Sequence, residues 1–179
     1  VTNLMEGYFD VYSTIYEITS EYWVKSVNSV INISVGSGFT EALIDTIYLS
    51  PNGNDLNTGT MESPLATVSH AITQLAADSL HPAVLFLLEG IYVENIVING
   101  MNWISIVGEN EETTIIDGGG LERVFTINES DMKLSEFSVM NGNAPNYGLG
   151  GGIHVNNSNL DVLNITVSDC IAFQGGGVV

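Results

Sequence analysis

Basic residues are almost missing from this chain. Lys25, Arg123 and Lys133 stand against 21 acids in 179 residues, a formal charge of -18. Nucleic acid, whose affinity for a protein comes largely from phosphate neutralisation, is excluded as a partner, and direct membrane insertion or binding to an anionic membrane surface is excluded with it. Cysteine occurs once, at Cys170, so no internal disulfide can form and a buried free thiol is expected. The longest uninterrupted apolar run, Ala83 to Leu88, falls far short of the roughly 20 residues that a spanning helix needs. No basic stretch followed by an apolar one opens the chain, so any export signal is expected to have been removed or to lie on another part of the gene product. Apolar residues make up 45% of the chain, which excludes wholesale disorder and predicts a soluble, folded protein.

What the chain does contain is a repeat. "GGGI" at Gly150 to Ile153 returns as "GGGV" at Gly175 to Val178, 25 residues on. Laid without a gap over Gly152 to Ala172, Val124 to Ala144 places Phe125 on Ile153, Ile127 on Val155, Phe137 on Ile165, Val139 on Val167 and Ala144 on Ala172, an offset of 28. Thr126 then falls on His154 and Ser138 on Thr166. Apolar positions alternate with polar ones, as in half-buried strands. Upstream, "NIVING" (Asn95 to Gly100), "WISIVG" (Trp103 to Gly108) and "TTIIDG" (Thr113 to Gly118) read as further short strands closed by Asn, Asp or Gly. No helical stretch long enough to be a crossover separates them, which excludes a doubly wound sheet. A period in the twenties with two or three strands per repeat predicts a solenoid whose coils stack in parallel.

Between 47 and 72, "IYLSPNGNDLNTGTMESPLATVSHAI" predicts a strand, a turn and a helix. Leu65, Val68, Ala71, Ile72, Leu75 and Ala76 form an apolar stripe at helical spacing, with Thr67 as N-cap and Pro82 beyond the end, so a helix over about 66–78 is expected to cover the first coil. Residues 1–46 are rich in β-branched and aromatic types. Strands are favoured there, although Met5, Phe9, Tyr12, Tyr16, Thr19 and Trp23 also make a heptad-like stripe. They form a β-rich arm or the end of a preceding domain, joined through Gly36-Ser37-Gly38 to a solenoid domain at 47–179.

The stretch "GGGI" together with "LNITVSDCIAFQGGGV" resembles the coils of right-handed parallel β-helices of the pectin-lyase-like class. It is similar to the repeats of polymorphic outer-membrane proteins and other surface passenger domains. The 47–72 segment resembles the one that opens many secreted β-helix proteins, so the likeness covers roughly residues 47–179. It implies an all-β, single-stranded right-handed parallel β-helix with a short N-terminal capping helix, in an extracellular or cell-surface protein. The fold carries lyases, hydrolases, epimerases and inert adhesins alike, so it implies no single activity.

Candidate sites are sparse. "NGNDLNTGT" (Asn52 to Thr60) has the oxygen-rich, Gly-punctuated look of a calcium loop, with Asn54, Asp55 and Asn57 as the metal-ligand candidates and calcium as the only cofactor suggested. It departs from the EF-hand pattern at Leu56, and Asx residues bonding their own turn explain it as well. The Gly triplets lack the marks of a phosphate loop and read instead as coil corners. Glu109, Glu111 and Glu112 read as solvated, and His154 as an outward surface residue. Arg123 and Lys133 show no acidic cluster beside them in the sequence, and no Asp-Asp or Asp-x-Asp pair suggests acid–base chemistry. Four sequons, at Asn32, Asn128, Asn156 and Asn164, read as glycan acceptors or as stacked turn residues.

Two function classes remain. The first is a non-catalytic, structural or adhesive protein of the extracellular space or cell surface, self-associating through the arm and an open solenoid end, or continuing into further coils of a longer chain, with glycan as a possible ligand. The second is the N-terminal part of a secreted calcium-dependent polysaccharide lyase, epimerase or hydrolase. An exposed last coil is expected to forfeit on the order of 5 kcal/mol of apolar burial, which favours a covering subunit or further coils.

Overall fold

The computed structural model describes residues 45–146 and 148–179, all within one compact unit. The expectations for residues 1–44, the β-rich arm and its hinge, lie outside the described residues. Among the described residues the chain is mostly β, with one short helix. β1 (Asp45–Leu49) is followed by α1 (Val68–Thr73), β2 (Ala83–Leu87), β3 (Gly90–Val93), β4 (Ile96–Asn99), β5 (Asn102–Gly108) and β6 (Thr114–Asp117). After these come β7 (Phe125–Asn128), β8 (Asp131–Met140), β9 (Ile153–Asn156) and β10 (Asn159–Ser168).

Every strand pairing is parallel. The larger sheet runs β1-β2-β5-β8-β6-β3 with β10 also on β8, and the smaller runs β4-β7-β9. The larger sheet curls because β8 serves two faces: Asp131–Ser135 pairs with β5, and Ser138–Met140 pairs with β6. Between the two, Glu136 adopts a left-handed φ of 63° and turns the strand. Asn164 repeats that corner in β10, at φ 49°, and its Nδ2 donates to Glu136 Oε1 at 2.8 Å. Two further left-handed corners recur in the same way, Glu129 with Asn157 and Asn141 with Asp169.

The aligned repeat is the pairing register. Phe125 lies beside Ile153, Ile127 beside Val155, Phe137 beside Ile165 and Val139 beside Val167, with Thr126 beside His154 and Ser138 beside Thr166 on the opposite face. The 25-residue return is also structural: Ile153 bridges to Val178, and Ile153 N donates to Gly177 O at 2.9 Å. The triplet divides its labour. Gly150 and Gly175 both take a left-handed φ, near 60°, whereas a Cβ on Gly151 would lie 2.4 Å from Ile171 O. The first glycine turns the chain and the second lets backbones pass.

Inward side chains of successive strands make the core. Leu85, Ile106 and Leu134 stack as neighbours in register, as do Ile96, Phe125 and Ile153, all essentially without solvent exposure. Phe125 and Phe137 come from different sheets, and their ring centroids are 6.0 Å apart. Each such side chain contributes roughly 1.5–3 kcal/mol of burial. The column ends at Val162, the register neighbour of Leu134, which is 49% exposed because β10 is an edge.

The helix exists where expected, but it is six residues long rather than spanning 66–78. Thr67 is its N-cap, and its Oγ1 accepts from His70 N at 3.1 Å. Val68, Ala71 and Ile72 are buried in the core, Leu75 is partly covered and Ala76 is exposed. The stripe therefore overreaches at its C-terminal end, past Gln74. Strand β1 starts at Asp45, two residues before the boundary read from the sequence.

Candidate functional site

The conspicuous surface feature is Trp103. Strand β5 pairs Asn102 with Asp131 and Ile104 with Met132, so Trp103 is an extra residue, bulged out of register. Its φ is 65° and its side chain is 56% exposed. Six of the left-handed non-glycine residues form pairs 28 positions apart, Glu129 with Asn157, Glu136 with Asn164 and Asn141 with Asp169, and Asn146 stands outside them. Trp103 belongs to no such series. A bulky residue held left-handed costs about 1–3 kcal/mol, strain that packing here does not repay, since the indole lies outside the core.

Two grooves of about 310 Å³ meet at this indole. One is lined by Ser105, Asp131, Lys133, Asn159 and Asp161, and the other by the Leu75–Asp78 loop with Gly100, Met101 and Asn102. Alternation aims Ser105, Lys133 and Asp161 outward in one column, each the register neighbour of the next. Beside that column, Asp131 N donates to Asn102 Oδ1 at 2.9 Å, and Asn159 Nδ2 donates to Asp131 Oδ1 at 2.8 Å, which fixes the amides and carboxylate. The only ion pair among the described residues joins His81 to Asp78, so the Lys133 ammonium and the Asp161 carboxylate face the groove with no ionic partner among those residues. The sequence reading saw no acidic cluster beside Lys133. Asp131 lies two residues before it on the same strand, and strand pairing adds Asp161 from β10.

The three residues put forward as calcium ligands have structural partners. Asn54 Oδ1 accepts from Leu56 N at 2.9 Å, and Asn57 Nδ2 donates to Pro64 O at 2.8 Å. Asp55 accepts from Ala66 N and Thr67 N, both at 2.9 Å, and from Thr67 Oγ1 at 2.8 Å. Burial raises the Asp55 pKa, but the Thr67 hydroxyl, the Thr67 and Ala66 amides and nearby His70 outweigh it and hold the carboxyl below the ordinary value. The loop is a brace for the helix N-terminus, and a cation on Asp55 would compete with those donors. Among the described residues no three His, Cys, Asp or Glu side chains converge as a metal site.

Other candidates also resolve into scaffold contacts. Glu109 Oε2 accepts from Glu89 N at 3.0 Å, and Glu111 accepts from the Thr166 hydroxyl, so these acids link segments rather than standing free in water. Asn128 Nδ2 donates to Asn99 Oδ1 at 2.8 Å, and Asn156 Nδ2 to Asn128 Oδ1 at 3.5 Å, forming a stacked amide column at two of the sequons. His154 faces outward yet is partly covered, and its Nδ1 is buried without a partner. Burial, with the Arg123 charge adding to it, lowers its pKa. Arg123 itself donates through Nε to Leu149 O at 2.8 Å and ties down the turn that follows Gly148. Cys170 is partly buried, and burial raises its pKa, consistent with an inert thiol.

No family model, no curated protein and no solved structure matches this chain.

Proposed function

We propose that the chain winds as a right-handed parallel β-helix and serves as a non-catalytic scaffold of the cell surface or extracellular space, structural or adhesive in role. Right-handedness follows from the general rule for parallel β crossovers, which holds in about 98% of cases. One observation carries the scaffold reading: outward carboxylates and amides bond to their counterparts one circuit away. Asp131 to Asn159, Asn141 to Asp117, and Asn164 to Glu136 are such pairs, at 2.8, 3.0 and 2.8 Å. Acids spent on fixing the stack already have structural partners, the role a scaffold asks of them.

Self-association is part of the proposal. Among the described residues β10 pairs with β8 alone, and Leu160, Ile165 and Val167 are only partly covered. A parallel strand from a second copy, or from further coils of a longer chain, would complete that layer. Light scattering across a concentration series is expected to show growth in mass, and a constant monomer mass would remove self-association.

The second reading, a calcium-dependent lyase, epimerase or hydrolase, is favoured by one observation, the placement of Lys133 between Asp131 and Asp161. Incubating the full chain with uronate polymers and calcium distinguishes the two readings. No turnover is expected from a scaffold, and turnover lost in Lys133→Ala would establish the enzyme.

A further inference from the structure

We propose that Trp103 and the grooves on either side of it bind a neutral oligosaccharide, with the indole as the platform on which a sugar ring stacks. The inference rests on the scaffold reading above and assigns it a ligand class.

Three features of the site point this way. The indole is a flat apolar surface, 56% exposed and outside the buried core, on a residue that is bulged out of register with a left-handed backbone. The surface around it is polar. Asp131, Asn159, Asp161, Lys133 and Ser105 present acceptors and donors along one edge, matching the alternating hydroxyls of a sugar, and the ladder from Asn102 through Asp131 to Asn159 fixes several of them in advance. The groove is also long enough. Asp161 lies two strands from β5, roughly 10 Å at the usual strand spacing, which is about the length of a disaccharide.

Charge decides among sugars. Asp131 and Asp161 line one groove and Asp78 the other, with Lys133 as the one cation between them, on a chain of formal charge -18. A polyuronate would meet net repulsion, whereas an uncharged chain pays none. A caged quaternary ammonium is disfavoured because, among the described residues, Trp103 is the one aromatic lining either groove.

Calorimetry with the full chain against cello-, manno-, xylo- and chito-oligosaccharides, with oligogalacturonate as the charged arm, tests the proposal. At least one neutral oligosaccharide is expected to bind. Affinity should fall at least tenfold in Trp103→Ala and stay within about threefold in Trp103→Tyr, the conservative aromatic replacement. Asp161→Asn should weaken binding of the same sugar severalfold, and circular dichroism should show all three variants folded like the parent. No binding by any neutral sugar, unchanged binding in Trp103→Ala, or equal binding of oligogalacturonate would each overturn the proposal. Loss of self-association in Trp103→Ala without any sugar binding would overturn it in favour of a protein interface. If the bound sugar were cleaved, the scaffold reading would fail while the binding site stood; if no sugar bound, the site would fail and the scaffold reading would stand.

Discussion

Phe137 is wholly buried against Phe125 and flanked in register by Ile165, so truncating it opens a cavity between two sheets. Phe137→Ala is expected to cost about 3–5 kcal/mol in urea unfolding, whereas Thr126→Ala, on the outward face, should stay within about 0.5 kcal/mol. Trp103 behaves in the opposite sense. Trp103→Asn suits a left-handed backbone and removes no core contact, so stability should hold or rise by up to about 1 kcal/mol. His154 gives a pH signature. Its native pKa is lowered below 6.5, so the stability it contributes is full above that value and is lost as pH falls through the lowered native value. The midpoint of thermal unfolding should drop over that interval, and the drop should shrink in His154→Gln. At this scale the sequence shows the short strand from Trp103 to Gly108 but not how Trp103 is held. The bulge was not legible, because it is a mismatch with Asp131 and Met132 on another strand.

α1 is too short to hold itself together, since isolated helices need roughly 12–15 residues to be even marginal in water. Its N-terminus is held from two directions. Asp55 bonds Ala66 N and Thr67 N, and Glu94, arriving from the strand layer, accepts from Val68 N at 2.8 Å and Ser69 N at 3.0 Å. Asp55→Ala should cost about 1–2 kcal/mol, in the range of a lost N-terminal cap. The sign of its pH dependence is that of a depressed acid: the contribution is full above the ordinary value of 3.8 and vanishes as pH falls through the lower native one. Acid unfolding of Asp55→Asn should accordingly lack that component. The sequence showed Thr67 as the cap and the apolar stripe behind it, and left Asp55 open between a calcium loop and an Asx turn. An Asx-rich turn looks the same in one dimension whether its oxygens meet an ion or the amides of Ala66 and Thr67.

Among the described residues each strand rests mainly on the parallel strands beside it. Amide exchange should therefore be slowest in β2, β5 and β8, which have neighbours on both sides, and fastest in β10, which has one. The repeat from Val124 to Ala172 was readable because two strand pairs share an ungapped register, Phe125 with Ile153 and Phe137 with Ile165. The pairing of Leu85 with Ile106 was not, since 21 residues separate them where 28 separate Ile106 from Leu134, the difference being absorbed in the turns. The parallel register itself is open to a direct chemical test. Lys133 and Asp161 are exposed neighbours on β8 and β10, while Leu163 lies on the same outward face two positions further along. In a Cys170→Ser background, mild oxidation should close a disulfide rapidly in Lys133→Cys/Asp161→Cys, whose Cα separation falls in the bonding range, and slowly or not at all in Lys133→Cys/Leu163→Cys. Equal or faster closure of the second pair would contradict the stacked register from which the rest of the account is built.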